Sequence, residues 1–306
     1  MKKSIVVTGL LMALASCGQA EPLFDAAAHE QEVLDWRAER LQRLKDLSGY
    51  LNQIGLYWLE EGSYSFGSDS GNDIRFPEKA APLIGVFEVT EDGVRMTAEE
   101  GIEVYSGERP VRRILIADDT TDAPVQITHR TFAWTVIKRD GRFAVRVRDF
   151  EHPFVATFGP LPYFPVDASL RVPAILHRYD KPRIANVETV IEGLGYHPES
   201  PGTVHFVVDG QAFELEAYTS GDRLFFVFGD ATNRDDTYGA GRFLYAEAPG
   251  DDGRTVLDFN LSYSPPCAFN DFSTCPVASP RNRLPIRIEA GEKYDEALHY
   301  SADAGH

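Results

Sequence analysis

Residues 204–218 read VHFVVDGQAFELEAY, and this stretch predicts a β-hairpin. Two apolar-rich segments flank Asp209-Gly210, and an Asp-Gly pair suits a tight two-residue turn because both of its positions adopt positive φ. The continuous apolar segment 224–228 follows and is typical of a buried strand. This part of the chain therefore predicts an antiparallel sheet.

Sequence patterns typical of β-strands and turns continue over most of the chain beyond residue 50. Further segments rich in β-branched and aromatic residues lie at 111–116, 131–139, 143–150, 256–261 and 284–288. Asp140-Gly141 marks a second hairpin turn. Prolines and glycines crowd residues 153–165, which indicates a connection between domains. The predicted fold is mainly β, with one domain at 26–152 and a barrel- or sandwich-like β domain at 166–296.

The first domain is expected to begin with an amphipathic helix. Asp25 is a suitable N-cap, and Val33, Trp36 and Leu44 lie close to one helical face in a pattern that continues to about Leu47. Acidic and basic residues are mixed on the other face, which favours packing on the protein over binding to a membrane surface.

The N terminus carries the parts of a bacterial export signal. Lys2 and Lys3 precede an apolar run at 5–14, and Leu14-Ala15-Ser16-Cys17 forms a lipobox. The run is too short for a transmembrane helix, which needs about 20 residues. We expect a signal peptide at 1–16, a lipidated tether at 17–25 with the lipid on Cys17, and a periplasm-facing protein anchored to the cell envelope. Gly18, in place of an aspartate, favours the outer membrane.

Charge and cysteine content narrow the possible partners. The formal net charge is −17, which repels nucleic acid and excludes it as a partner. Besides Cys17, the chain contains Cys267 and Cys275, and in an oxidising compartment these favour a disulfide. The alternatives are a pair of metal ligands or a reactive thiol, although the seven intervening residues do not match the C-x2-C spacing of zinc sites.

Several segments of the last third resemble the DUF1684 family of bacterial and archaeal proteins. They read FGDAT at 228–232, TYGAGRFL at 237–244, LDFN at 257–260, PPC at 265–267, TCP at 274–276, NRLP at 282–285 and AGEK at 290–293. Trp36-Arg37 and GLYWL at 55–59 resemble its N-terminal part, so the resemblance spans 36–294. The function of this family is unassigned, and the resemblance implies no activity.

A second resemblance concerns the first β domain. FGSDSGNDI at 66–74, followed by VYSGE at 104–108, is similar to a forkhead-associated β-sandwich. That fold recognises phosphothreonine with an arginine and a Ser-x-x-His motif. Here Ser68 replaces the arginine, and residues 81–87 contain no such serine and histidine. The resemblance implies a sandwich at about 50–150 without phosphopeptide binding.

Common catalytic and metal-binding motifs do not occur in the sequence. It contains no H-E-x-x-H, G-x-S-x-G or phosphate-binding loop. Its eight histidines have no ligand spacing. Residues 230–236 are similar to a calcium loop, but Arg234 stands where an oxygen ligand is needed. We therefore predict no metal site, and the residues identify no cofactor.

A dense group of polar residues in the last third remains as the candidate site. The catalytic candidates are Asp230, Arg242, Glu289 and Glu292, since an arginine can bind an anion while carboxylates transfer protons. The ligand-binding candidates are Thr232, Tyr238, Asp258, Asn260, Asn282, Arg283 and Lys293. The alternative is a buried polar network that fixes long loops, with Arg242 paired to Asp230 or Asp258.

Three functions follow from these observations. The leading hypothesis is an envelope lipoprotein that binds a small molecule or an envelope protein through its C-terminal β domain. The second is a hydrolase or transferase that uses Asp230, Arg242 and Glu289 or Glu292. The third is a structural or assembly role at the envelope.

Overall fold

The protein is built mainly of β-strands with one long N-terminal helix, as the sequence predicts. A computed structural model describes residues 24–301. The predicted signal peptide, Cys17 and almost all of the predicted tether lie outside the described residues. Among residues 24–301, no helix combines the length and the apolar character that crossing a membrane requires.

The long helix, α1, spans Ala26–Lys45 and confirms the predicted start. The Asp25 side chain accepts hydrogen bonds from the backbone N–H groups of Ala27 and Ala28 at 3.0 and 3.1 Å, which satisfies donors that have no partner within the helix. Val33 and Leu44 are buried on its inner face. The helix therefore packs on the protein body.

Eleven strands follow and form two sheets that face each other. They are β1 Gln53–Leu59, β2 Gly62–Gly67, β3 Ile74–Arg75, β4 Gly85–Thr90, β5 Gly93–Ala98, β6 Tyr105–Ser106, β7 Arg109–Pro110, β8 Arg113–Ile116, β9 Gln126–His129, β10 Phe132–Arg139 and β11 Arg142–Asp149. One sheet has the order β1-β11-β10-β9-β6-β7 and the other β3-β2-β4-β5-β8. The core between them contains stacked Phe66 and Phe87 with Trp134 against Phe66.

A short connection leads to the second β domain. It contains helix α2, Pro153–Thr157. The following strands are β12 Arg171–Ile184, β13 Val187–Glu188, β14 Gly195–Tyr196, β15 Glu199–Val208, β16 Gln211–Ser220, β17 Arg223–Phe228, β18 Arg242–Glu247 and β19 Arg254–Asp258. Short 3-10 helices lie at Ala168–Leu170, Phe259–Leu261, Pro266–Ala268, Pro280–Asn282 and Glu296–Leu298.

The second domain is close to a closed barrel. Its large sheet has the order β18-β17-β16-β15-β12-β19, and the two end strands, β18 and β19, contact each other. Buried side chains such as Val204, Leu215 and Phe226 fill the interior. The strands β13 and β14 form a separate small sheet.

Both predicted hairpins are confirmed. Asp140 and Gly141 have φ of 48° and 77° between β10 and β11, and Asp209 and Gly210 have φ of 50° and 77° between β15 and β16. Positive φ at both positions is the backbone form that an Asp-Gly turn favours.

The prediction of a strand at 284–288 was wrong. The backbone N–H of Leu284 donates to Gly229, and that of Ile288 is directed at the Asp230 carboxylate rather than at a neighbouring strand. Pro285 also has no backbone N–H to offer a sheet. The segment is therefore buried in part, but it runs as irregular chain.

Helix α1 does not pack on the sandwich, although the predicted first domain at 26–152 contained both. His29 bonds to Asp258, and Arg40 donates to Glu292 and to the carbonyl of Ser264. The helix therefore packs on the C-terminal domain, across more than 220 residues of sequence.

Candidate functional site

The candidate residues of the last third separate into three groups in the structure. The first group centres on Arg242 and Asp230, whose side chains are fully buried and lie 2.6 Å apart. The Arg242 guanidinium also donates to the backbone carbonyls of Ala290 and Ile288. The other carboxylate oxygen of Asp230 accepts the N–H of Thr232 at 2.7 Å.

The side chain of Asn282 likewise forms its hydrogen bonds with the backbone. Its side chain accepts the N–H of Glu216 at 2.8 Å and donates to the carbonyls of Glu216 and Val227 at 3.0 and 3.1 Å. A fully buried amide that has its partners fixes the surrounding strands and loops. Arg283 follows it and is exposed.

The second group faces α1. Asp258 contacts His29 at 2.6 Å, and the Asn260 amide donates to Asp258 and to the carbonyl of Asp167. Glu292 is fully buried and accepts from Arg40 at 3.3 Å and from the N–H of Ser264 at 3.2 Å. Burial raises the pKa of Glu292, and nearby Arg40 opposes that effect. This group attaches the helix to the barrel.

The third group lies at the surface. Glu289 pairs with Arg287 at 2.7 Å, and Lys293 pairs with Asp236 at 2.7 Å. Arg287 also reaches Asp236 at 2.5 Å. Exposed ion pairs of this kind contribute little to stability, because water screens the charges.

Cys267 and Cys275 lie side by side in a buried cluster that includes Tyr238. Both cysteines are free thiols, and the backbone N–H of Cys267 donates to the sulfur of Cys275 at 3.2 Å. Burial and the contact with Cys275 raise the pKa of the Cys267 thiol. The structure therefore brings the two residues together but does not contain the expected disulfide.

A cavity of about 770 Å³, the junction cavity, lies at the edge of the sandwich. None of the candidate residues predicted from the last third lies in its walls. Its walls come from β1, the loop between β3 and β4, the end of β11 with the turn after it, and the C-terminal tail. The side chains that matter most are Tyr57, Phe76, Lys79, Asp149, His152 and Tyr300. Ligand pockets commonly have this size and this mixture of aromatic and charged groups.

Aromatic rings form much of the wall. The His152 ring meets the Tyr300 ring at 4.5 Å, nearly edge to face. The Tyr57 hydroxyl donates to the carbonyl of Arg75 at 2.9 Å, and burial raises its pKa. Tyr300 is held by its backbone N–H, which donates to the carbonyl of Phe269 in the C-terminal domain. The cavity therefore joins the sandwich to the last residues of the described chain.

The charged part of the wall is a carboxylate with a lysine. Asp149 is almost completely buried and lies 2.9 Å from the ammonium of Lys79. Its second oxygen accepts the N–H of Glu151 at 3.1 Å, and its own backbone N–H donates to Asn52. The carboxylate is thus fixed in place by the backbone, while 41% of the Lys79 side chain is exposed.

His152 is the one wall residue with an unused buried polar atom. Its Nδ1 is inaccessible to solvent and has no hydrogen-bond partner among the described residues. Burial lowers the pKa of His152, so the ring is neutral at pH 7 and one ring nitrogen can accept a hydrogen bond.

Sequence reasoning missed every one of these wall residues. They come from four segments between residues 54 and 300, and no short motif connects them. The only sequence signal was indirect, since the proline-rich connection predicted between the domains begins at Pro153, in the cavity wall.

A second cavity of about 470 Å³ lies along the loop at 186–195. Neither cavity contains a metal-binding arrangement. Within residues 24–301, no group of three or more histidine, cysteine or carboxylate side chains is placed to hold a metal ion.

Comparison with known proteins connects the second domain to a family. Residues 156–293 match the model of DUF1684, described as a protein of unknown function. The resemblance predicted from the last third is confirmed, while the quoted segments at 36–37 and 55–59 lie outside the match.

The solved structures that are similar over part of the chain include one of an archaeal protein. It is the solution NMR structure of an uncharacterized protein from Haloarcula marismortui, with 29% sequence identity and a TM-score of 0.39. The alignment covers 46% of this chain and 79% of that one. No curated protein matches the chain.

Proposed function

We propose that this protein is an envelope lipoprotein that binds a small molecule in the junction cavity. The observation that carries the proposal is a cavity of about 770 Å³ whose wall combines aromatic rings with a fixed, buried carboxylate and a partly exposed lysine. Most hydrogen-bonding groups of the polar candidates in the C-terminal domain, by contrast, bind one another or the backbone or lie at the surface, although Arg242 Nε has no hydrogen-bond partner among the described residues.

A pair of matched variants tests ligand binding. Glu78→Trp places a bulky ring on an exposed residue of the cavity wall, while Glu91→Trp places the same ring on an exposed turn outside it. The full chain, purified in detergent, is screened by thermal shift against amines, carboxylates, alcohols and sugars. We expect at least one compound to raise the melting temperature of the native protein and of Glu91→Trp, and to have no effect on Glu78→Trp.

Two results would contradict this use of the cavity. One is a compound that stabilises all three proteins equally, because it would then bind elsewhere. The other is a complete absence of stabilising compounds. Binding through the C-terminal domain would instead predict that changes around Asn282 alter the response while Glu78→Trp does not.

The proposed location rests on the lipobox at 14–17 and the apolar run before it. Acylation of Cys17 and cleavage after Ser16 would attach the mature chain to the envelope, facing the periplasm. Several acyl chains give firm attachment, since each buried methylene contributes about 0.8 kcal/mol. Intact-mass analysis of the Cys17→Ser variant should show an uncleaved, unacylated chain. An unmodified full-length native protein in the cytosol would refute the proposal.

Export also predicts that Cys267 and Cys275 become oxidised. A disulfide-bearing oxidant would take two electrons and two protons from the adjacent thiols and leave one S–S bond. The non-reduced protein should then be lighter by two hydrogen atoms than the reduced protein. We expect reduction, or the double change to serine, to cost about 2–3 kcal/mol in the free energy of unfolding. Free thiols in protein isolated from the periplasm would contradict this expectation.

A further inference from the structure

The wall of the junction cavity already binds one ammonium group, which belongs to the protein itself. Lys79 Nζ lies 2.9 Å from a carboxylate oxygen of Asp149 and 3.7 Å from one of Glu151. It also lies 5.5 Å from the centre of the Phe132 ring. Carboxylates together with an aromatic face are the groups that recognise an organic cation.

The two partners of this ion pair differ in how firmly they are held. Asp149 is buried and fixed by backbone hydrogen bonds, so it cannot follow the lysine into solvent. Lys79 lies in the loop between β3 and β4 on a long flexible side chain that is 41% exposed. Movement of Lys79 outward would leave a preformed acceptor for another ammonium, at the side of the cavity.

The charges of the wall also favour a cation. Three carboxylates, Glu78, Asp149 and Glu151, line the cavity with two basic residues, Arg75 and Lys79. His152 is neutral at pH 7 because burial lowers its pKa. An anion would therefore meet a surplus of negative charge, whereas a cation would meet the opposite charge.

We infer that the ligand of the junction cavity is a small organic cation, a primary ammonium attached to an apolar or aromatic body. The ammonium replaces that of Lys79 at Asp149 and Glu151, and the body packs between Tyr57 and Tyr300. This inference rests on the proposed function, since it names the chemistry of the ligand in the same cavity.

Three probes of similar size and different charge test the inference. They are phenethylammonium, 2-phenylethanol and phenylacetate, and their affinities are measured by calorimetry with the full chain in detergent. We expect phenethylammonium to bind about tenfold more tightly than 2-phenylethanol, which corresponds to one charge-assisted hydrogen bond. Phenylacetate should bind more weakly than either.

Two variants locate the ammonium. Lys79→Met keeps the apolar stem but removes the competing charge, so the affinity for phenethylammonium should rise about tenfold, with no change for the alcohol. Glu151→Gln alters a carboxylate whose side chain is 69% exposed, so the fold is expected to survive, and the affinity for phenethylammonium should fall by a factor of about two to three.

The outcomes separate the two proposals. Binding of the alcohol or the acid that Glu78→Trp abolishes, without tighter binding of phenethylammonium, would preserve the cavity as a binding site and refute the cation. Equal affinity of phenethylammonium for the native protein, Lys79→Met and Glu151→Gln would also refute it. If none of the three probes binds, recognition of an ammonium by this cavity is refuted.

Discussion

Replacement of Arg242 by alanine is expected to lower the free energy of unfolding by about 3–5 kcal/mol. The guanidinium and the Asp230 carboxylate are both fully buried and lie 2.6 Å apart. The change would leave the carboxylate without its charged partner, and it would also leave the Ile288 and Ala290 carbonyls without the donor that now serves them. A buried group that loses its partner bears the full cost of its desolvation. Denaturation in urea, followed by circular dichroism, measures the effect.

Arg287→Ala is the matched control for this experiment. Arg287 forms three ion pairs, with Asp235, Asp236 and Glu289. Its side chain is nevertheless 39% exposed. Water replaces these contacts, so we expect a loss that is small beside that of Arg242→Ala. Similar losses for Arg242→Ala and Arg287→Ala would show that the Arg242 network does not hold the barrel together. The double variant Arg242→Met with Asp230→Leu should recover part of the loss, because both charges leave together.

The second large effect is expected at Gly291, which lies between Ala290 and Glu292 of the buried network. Gly291 has a φ of +81°, and a Cβ there would lie 2.1 Å from Ser262 Oγ, 2.5 Å from the Ser262 carbonyl oxygen and 2.8 Å from that of Phe259. The serine hydroxyl can rotate, but the two carbonyls belong to the backbone. Gly291→Ala should therefore cost about 3 kcal/mol or more, since both strain and steric overlap act.

Gly193→Ala separates the effect of backbone strain from that of steric overlap. Gly193 has a φ of +74°, and no atom lies within 4 Å of the position that a Cβ would occupy. Alanine there should cost only the left-handed backbone penalty of about 1–2 kcal/mol. Thermal unfolding of both variants measures the difference. If Gly291→Ala were no more destabilising than Gly193→Ala, the contact of residue 291 with the 259–262 turn would be looser than the structure indicates.

The local parts of the fold could be predicted from the sequence. The turns at Asp140-Gly141 and Asp209-Gly210 and the N-cap at Asp25 each depend on a few adjacent residues, and all three are confirmed. Strand β12 was not predicted, and it contains Pro173 and Pro182, residues that disfavour a strand inside a sheet. Nevertheless, β12 lies between β15 and β19. Tertiary packing outweighed the local signal in this case.

The site was harder to predict than the strands, for a physical reason. Polar residues such as Arg242 and Asn282 are conspicuous in a sequence whether they line a pocket or fix loops, because both roles need the same side chains. The wall of the junction cavity depends instead on how Tyr57, Lys79 and Tyr300 meet in space. Only the tertiary structure contains that information.

The long-range attachment of α1 has a consequence for how the chain matures. Its anchors, Asp258 and Glu292, are made near the end of synthesis, whereas the helix itself is among the first segments to leave the ribosome. Until then Leu44 lacks Ala268 and Phe269, which complete its buried cluster, and it remains open to aggregation or to a chaperone. Truncation of the last fifty residues would therefore release the first helix as well as remove the end of the chain.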